Sequence, residues 1–230
     1  MCWSAQASFT TFCIGSILSL ILIIRNAPYD RLFGIFFLWV ILMQLLEYLM
    51  WRDVDRKGNL NNIASQMAWF QNLTQPIVGG LLILAYVYTG QSLKDKNKKS
   101  PLPFQLFCSI LVAYTFIFLW WIFTKKPYKD KFCAQPCDDH HLQWPWAKKE
   151  NYGSYIWISY YIAFAAIIIA SLRNKAWLIL SAYLVVTCLI AALFLPFSKS
   201  MGSWWCVFAI GGPLLKLFLP VSMFDQPLVY

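Results

Sequence analysis

Residues 32–51 read LFGIFFLWVILMQLLEYLMW, an apolar run interrupted by one amide, Gln44, and one charge, Glu47. A helix rises 1.5 Å per residue, so about 20 such residues cross a hydrocarbon core of roughly 30 Å. Arg31 stands before the run, and the charged stretch 52–57 closes it. Lipid offers no partner to a free backbone N–H or C=O, so a run of this kind must be a helix.

The same reading extends to both ends of the chain. Further apolar runs span residues 9–24, 63–89, 104–123, 155–172, 176–195 and 203–219. Pro28, Pro103, Pro196 and Pro220 punctuate their ends. Of the 230 residues, 60% are apolar and only 13% charged. A soluble domain carries about 25% charged residues, so an ordinary cytosolic domain and a disordered tail are both excluded. The 12 tryptophans suit membrane–water interfaces, where the indole ring is enriched. The expected architecture is an all-α integral membrane protein: one seven-transmembrane-helix bundle forming a single domain over 1–230. Its one long connector, 124–152, lies between helices 4 and 5 and is dense in Cys, His and Trp. The start of the chain carries no basic residue in positions 1–8, which argues against reading the first run as a secretory leader.

Seven crossings put the termini on opposite sides. Side A, with the amino terminus, carries the 52–62 loop, the connector and the 197–202 turn. Side B carries the 25–31, 91–100 and 173–175 loops and the tail after Pro220. The net charge of +9 is spread over both faces. It points to anionic lipid headgroups rather than to a nucleic-acid groove. The densest basic cluster, Lys94, Lys96, Lys98 and Lys99, is on side B. Cys2, Cys133, Cys137 and Cys206 gather on side A, as two disulfides in an oxidising compartment would require. Both observations place the amino terminus on the non-cytosolic side.

Ionisable groups inside spans are costly and tend to mark function. Glu47 lies about one turn from the side-A end of its span, with Gln44 and Trp51 on the same helical face. The third span begins with Gln66, Gln71, Asn72, Thr74 and Gln75 on the same side, and Pro76 frees a backbone carbonyl near position 72. Glu47, Gln44, Gln71, Asn72 and Gln75 are therefore the expected ligand-binding set. They would form a side-A cavity for a small polar or cationic ligand or an ion. Polar residues of this kind also tie helices together without binding anything. Lys216, near the side-B end of the last span, is expected to snorkel to the interface. A lysine in a seventh span resembles the retinal-binding rhodopsins. A Schiff base there needs a nearby carboxylate, however, and the one intraspan acid, Glu47, sits toward the other face.

The connector places His140, His141 and Asp139 near Cys133 and Cys137, all residue types that ligate zinc. With Glu47 they define an alternative reading, a metal-dependent membrane hydrolase using His140, Asp139 and Glu47. The two histidines are adjacent and point apart in an extended segment. No Gly-x-Ser-x-Gly elbow, Gly-rich phosphate loop or His-Glu-x-x-His is present, so an enzyme is disfavoured and no cofactor is expected. A purely structural membrane component is the third reading.

The opening Cys2-Trp3-Ser4-Ala5 resembles the start of a family of multi-span membrane proteins that share a domain of unknown function. Glu47 with Gln71 and Gln75-Pro76, the Cys133…Cys137…His140-His141-Leu142-Gln143-Trp144 stretch, and Ser203-Trp204-Trp205-Cys206 are similar and occur in the same order. The resemblance implies a multi-helix membrane fold and supplies no activity.

Overall fold

The computed structural model describes residues 4–55, 57–89, 102–124, 132–136, 142–144, 154–171 and 201–224. Among these the chain forms six α-helices: α1 (Ala5–Arg25), α2 (Asp30–Arg52), α3 (Leu60–Thr89), α4 (Leu102–Thr124), α5 (Ser154–Ser171) and α6 (Met201–Phe218). Two short strands, β1 (Gln135–Pro136) and β2 (Leu142–Gln143), pair antiparallel within the connector. The expected span over 176–195 lies outside the described residues.

Three helices are long and apolar enough to cross a membrane: Ala5–Arg25, Asp30–Arg52 and Phe104–Thr124. These match three of the apolar runs, extended at their ends by local chemistry. Ser4 caps α1, its Oγ accepting from the Ala7 N–H at 3.1 Å, so the helix starts four residues before the apolar run. Asn26 ends α1 in the left-handed region, with φ 52°, a conformation that asparagine tolerates at a helix end.

α1 and α2 form an antiparallel pair, and both pack against α6. α3 packs on α2 and also meets α4 and α5, which pack on each other. The α1 face turned inward is Ser8, Gly15, Ser19 and Leu22, a stripe of mostly small residues that lets backbones approach. A Cβ on Gly34 of α2 would lie 2.7 Å from the Ser19 carbonyl, so α1 and α2 touch there through backbone.

The two larger of three apolar clusters among the described residues fill most of the interior. One joins Met43, Leu46 and Met50 of α2 to Ala64, Ala68 and Trp69 of α3, Trp121 of α4, and Phe132 and Ala134 of the connector. The other joins Leu22, Phe33 and Phe37 to Phe107 and Ile167 toward the opposite end. α3 runs unbroken through Pro76. The Thr74 hydroxyl donates to the Phe70 and Gln71 carbonyls at 2.8 and 3.1 Å, in the turn before the proline.

Candidate functional site

Glu47 is 0% exposed, and Gln44, Gln71, Asn72 and Gln75 are buried with it between helices. Their levels along the bundle follow from contacts. Gln71 Nε2 donates to the Trp39 carbonyl at 2.6 Å and to the Val40 carbonyl at 3.4 Å. Asn72 Nδ2 lies 3.3 Å from the Met43 sulfur. In an antiparallel pair this register puts Glu47 level with about residues 64–68 of α3, where Ala64 and Ala68 are both buried. Gln44 then lies near the level of Gln71. Gln75 sits roughly 10–16 Å further along the helix pair than Glu47, at 1.5 Å per residue.

The five residues therefore form a graded row rather than one cluster. Glu47 and Gln44 hold the end near the α1 amino terminus, and Gln71 and Asn72 follow. Gln75 stands at the far end: its Nε2 donates to Asn72 Oδ1 at 3.1 Å, and its Oε1 accepts from the Tyr160 hydroxyl of α5 at 2.9 Å. The Tyr114 hydroxyl of α4 donates to the Leu73 carbonyl at 2.6 Å. These bonds tie α2, α3, α4 and α5 together. Gln71 Oε1 is a buried acceptor with no hydrogen-bond partner among the described residues.

Two further elements reach the Glu47 level. On α1, the Phe9 ring lies 5.1 Å from that of Tyr48, and a Cβ on Gly15 would meet Ile41. That register sets Ser8, which is fully buried, beside the Glu47 turn. On α6, Lys216 pairs with Asp30, and a Cβ on Gly212 would strike the Phe37 ring. Glu47 is then level with about residue 202, the start of α6, so the Ser203-Trp204-Trp205-Cys206 backbone opens near it. Among the described residues at this end of α2, Arg52 is exposed, its guanidinium 6.0 Å from the centre of the Tyr48 ring, and Lys57 is exposed beside Asp55.

The connector docks on the same end. Asn61 Nδ2 donates to the Ala134 carbonyl at 3.0 Å, and Asn61 Oδ1 accepts from the Ala134 N–H at 2.9 Å. Ser65 Oγ accepts from that same N–H at 3.1 Å. Phe132 packs edge-on against Trp69, with ring centres 5.9 Å apart. Asp53 organises the turn beneath, its carboxylate accepting from the Gly58 and Asn61 N–H groups at 2.9 and 3.1 Å. Those amides hold the Asp53 carboxyl below the usual aspartate range.

The sulfur chemistry differs from expectation at Cys133, which carries a free, half-buried thiol. Docking of this part of the connector runs through Asn61, Ser65 and Phe132 instead, with Phe132 and Ala134 fully buried on either side of Cys133. Cys2 and Cys137 lie outside the described residues, as does the side chain of Cys206. His140, His141 and Asp139 also lie outside them. Among the described residues no group of three metal-ligating side chains is found.

The opposite end of α2 holds a site that sequence reasoning passed over. Asp30, the first residue of α2, is 0% exposed and takes four donors. Its Oδ2 accepts from Arg25 Nε at 2.6 Å and the Ala27 N–H at 2.9 Å. Its Oδ1 accepts from Arg25 Nη2 at 2.9 Å and lies 2.8 Å from Lys216 Nζ. Arg25 also donates to the Leu217 and Lys216 carbonyls at 3.1 and 3.2 Å, where the end of α6 leaves carbonyls in need of donors. One carboxylate and one guanidinium thus join the end of α1, the start of α2 and the end of α6.

Lys216 does not snorkel, because its side chain is 0% exposed and its ammonium is committed to Asp30. The acid that pairs with it is Asp30, at the start of α2 just after the 26–29 turn. Tyr29 in that turn has φ 65°, a left-handed conformation that costs an L-residue roughly 1–2 kcal/mol. It persists because Asp30 is held from both sides. An aspartate five residues after an arginine, across a proline turn, was the available signal.

No family model, curated protein or solved structure matches this chain. The functional reading therefore rests on the two polar interiors alone.

Proposed function

We propose that the chain is a multi-pass integral membrane protein that binds or transports a small polar or cationic ligand, or an ion, at Glu47. In this reading it is a seven-helix bundle in which residues 176–195 supply the sixth span and membrane lipid surrounds the apolar faces. The amino terminus and the 124–152 connector lie on the non-cytosolic side. Glu47 and Gln44 form the acidic end of the binding interior. The open Gln71 acceptor, with Asn72 and Gln75 behind it, continues the row inward.

The observation that carries the proposal is the complete burial of Glu47 within an apolar helix, at about the level of the buried Ser8, Ala64 and Ala68. The described residues at that level are small or neutral, and an ionisable group kept inside an apolar helix is costly. A buried acid kept in such surroundings favours a cation.

The test is thermal unfolding of the purified protein in detergent, with sodium, potassium, methylammonium or choline chloride at matched ionic strength. A cation at about 100 times its dissociation constant stabilises the folded state by about 2.7 kcal/mol. That raises the melting temperature by about 5–10 °C for a chain of this size. The expected result is such a rise with at least one cation in the wild type and its loss in Glu47→Gln. If no cation moves the wild type, or if Glu47→Gln responds equally, the proposal fails.

A second reading has an observation behind it. Gln71, Asn72, Gln75 and Tyr160 are already engaged as helix ties, as a structural membrane component would use them. The hydrolase reading depends on His140 and Asp139, outside the described residues, and is not carried further.

A further inference from the structure

We propose that the seam between α2 and α3 binds a hydroxyl group, held between the Trp39 indole and the Gln71 side-chain amide. Gln71 is 3% exposed, and its Nε2 is committed to the Trp39 and Val40 carbonyls at 2.6 and 3.4 Å. That commitment keeps the amide from turning over, so Oε1 is fixed as an acceptor. Gln71 Oε1 and Trp39 Nε1 are both buried with no hydrogen-bond partner among the described residues. One helix brings a donor and the next an acceptor, on two residues already joined at the Trp39 carbonyl. The site goes beyond the Glu47 reading and shares only Gln71 with it.

The two groups name the class of ligand. An indole N–H only donates, and an amide oxygen only accepts. Each is costly to leave unmade where lipid supplies no partner. A carbonyl or ether compound would satisfy Trp39 alone, and an ammonium would satisfy Gln71 alone. A hydroxyl does both with one oxygen, accepting from the indole and donating to the amide. Two sources share that chemistry: water, and an alcohol dissolved in the bilayer. The surroundings favour the alcohol. Ile35 and Leu42 lie on the helical row of the half-buried Trp39 and are exposed, as are Met67 and Phe70 beside Gln71 on α3. The seam therefore borders an apolar face, where an alcohol can leave its tail among lipid chains.

The experiment records the indole N–H signals in proton–nitrogen correlation spectra of the full chain in nanodiscs. Trp39→Phe keeps a ring and the backbone carbonyl that Gln71 reaches, and it assigns the Trp39 signal by its loss. The arms are nanodiscs alone, nanodiscs with octanol and nanodiscs with octane. Gln71→Met is the variant that removes the acceptor. A second measurement follows the melting temperature of the wild type and of Trp39→Phe against octanol concentration, so the test stands even if Gln71→Met does not fold.

The Trp39 N–H should lie downfield of a free indole and shift with octanol but not with octane, and Gln71→Met should abolish that shift. The apparent octanol affinity should fall about tenfold in Trp39→Phe, as the loss of one hydrogen bond implies. A cross-peak from this N–H to water, without an octanol shift, supports the hydroxyl site and identifies water as its source. A Trp39 signal at the free-indole position with neither response overturns the proposal. An octanol shift matched by octane, or unchanged in Gln71→Met, also overturns it, as does an octanol affinity equal in wild type and Trp39→Phe.

Discussion

The two polar interiors of this bundle lie at opposite ends of α2 and are built from different materials. At one end Asp30 is saturated by ionic and backbone donors from three chain segments. At the other, Glu47 sits among levels lined by alanine, serine and glutamine. The first arrangement fixes geometry, since a carboxylate gripped by a guanidinium and an ammonium has little freedom left. A saturated acid of this kind reads as a structural clasp; the acid at the other end is the one proposed to hold a ligand.

The sharpest way to break this comparison is Asp30→Asn. It removes the one anion seen at the Arg25–Asp30–Lys216 rim among the described residues and leaves Arg25 and Lys216 with a neutral acceptor there. Removing one partner of a buried ion pair costs about 3–5 kcal/mol, so a large drop in unfolding midpoint is expected in a denaturant titration. Lys216→Met should stay within about 1 kcal/mol of the wild type, because a methionine fills the lysine stem's space and the remaining pair is neutral. If both variants lose the same stability, the asymmetry drawn between anion and cations is wrong.

The three helices long and apolar enough to cross a membrane were legible because composition alone decides them. The reading of 32–51 needs no tertiary information, and α2 covers that run with short extensions. The burial of Glu47, Gln44, Gln71, Asn72 and Gln75 was also legible, since polar residues on one face of an apolar helix have few places to go but inward. Their separation into a row was not, because it depends on the α2–α3 register, and that is set by which carbonyl Gln71 reaches. Asp30 was hidden for a different reason. It lies in what reads as a loop, and its partner Lys216 is near the other end of the chain, so no local pattern connects them. Ser8 was hidden by its smallness: one hydroxyl just before an apolar run carries no signal until its helix is placed against Tyr48.

A middle-sized effect sharpens the comparison from the Glu47 end. Asn61→Ala removes both bonds from Asn61 to the Ala134 backbone and leaves that N–H with the Ser65 hydroxyl alone. Losing the partner of buried backbone groups costs about 1–3 kcal/mol. The loss should fall on connector docking rather than on the helices, so Cys133 should react with a thiol reagent about tenfold faster. Cys13 and Cys108, within α1 and α4, serve as internal references and should keep their rates. If the cation response of Glu47 changes in the same variant, the connector roofs that interior. Unchanged Cys133 labelling would mean that Asn61 does not hold it.

The smallest effect is a pH dependence at Asp53, which has no counterpart at the rim. Its carboxylate accepts backbone N–H bonds from Gly58 and Asn61, which hold its pKa below the ordinary value of 3.8. A carboxyl lowered on folding stabilises the folded state above its unfolded value and gives that stability up as pH falls through the folded value. The wild type should therefore exceed Asp53→Asn in melting temperature by a constant margin above about pH 5, and the margin should shrink below about pH 4. Asparagine can still accept through its amide oxygen, so the margin reports the charge rather than the loop's shape. Because Asn61 receives the same turn that Asp53 organises, the acid loss should appear first as faster Cys133 labelling relative to Cys13 and only later as helix unfolding. A margin that stays constant down to pH 3 would show that the charge of Asp53 contributes nothing to the turn, and that Asn61 alone positions the connector above Glu47.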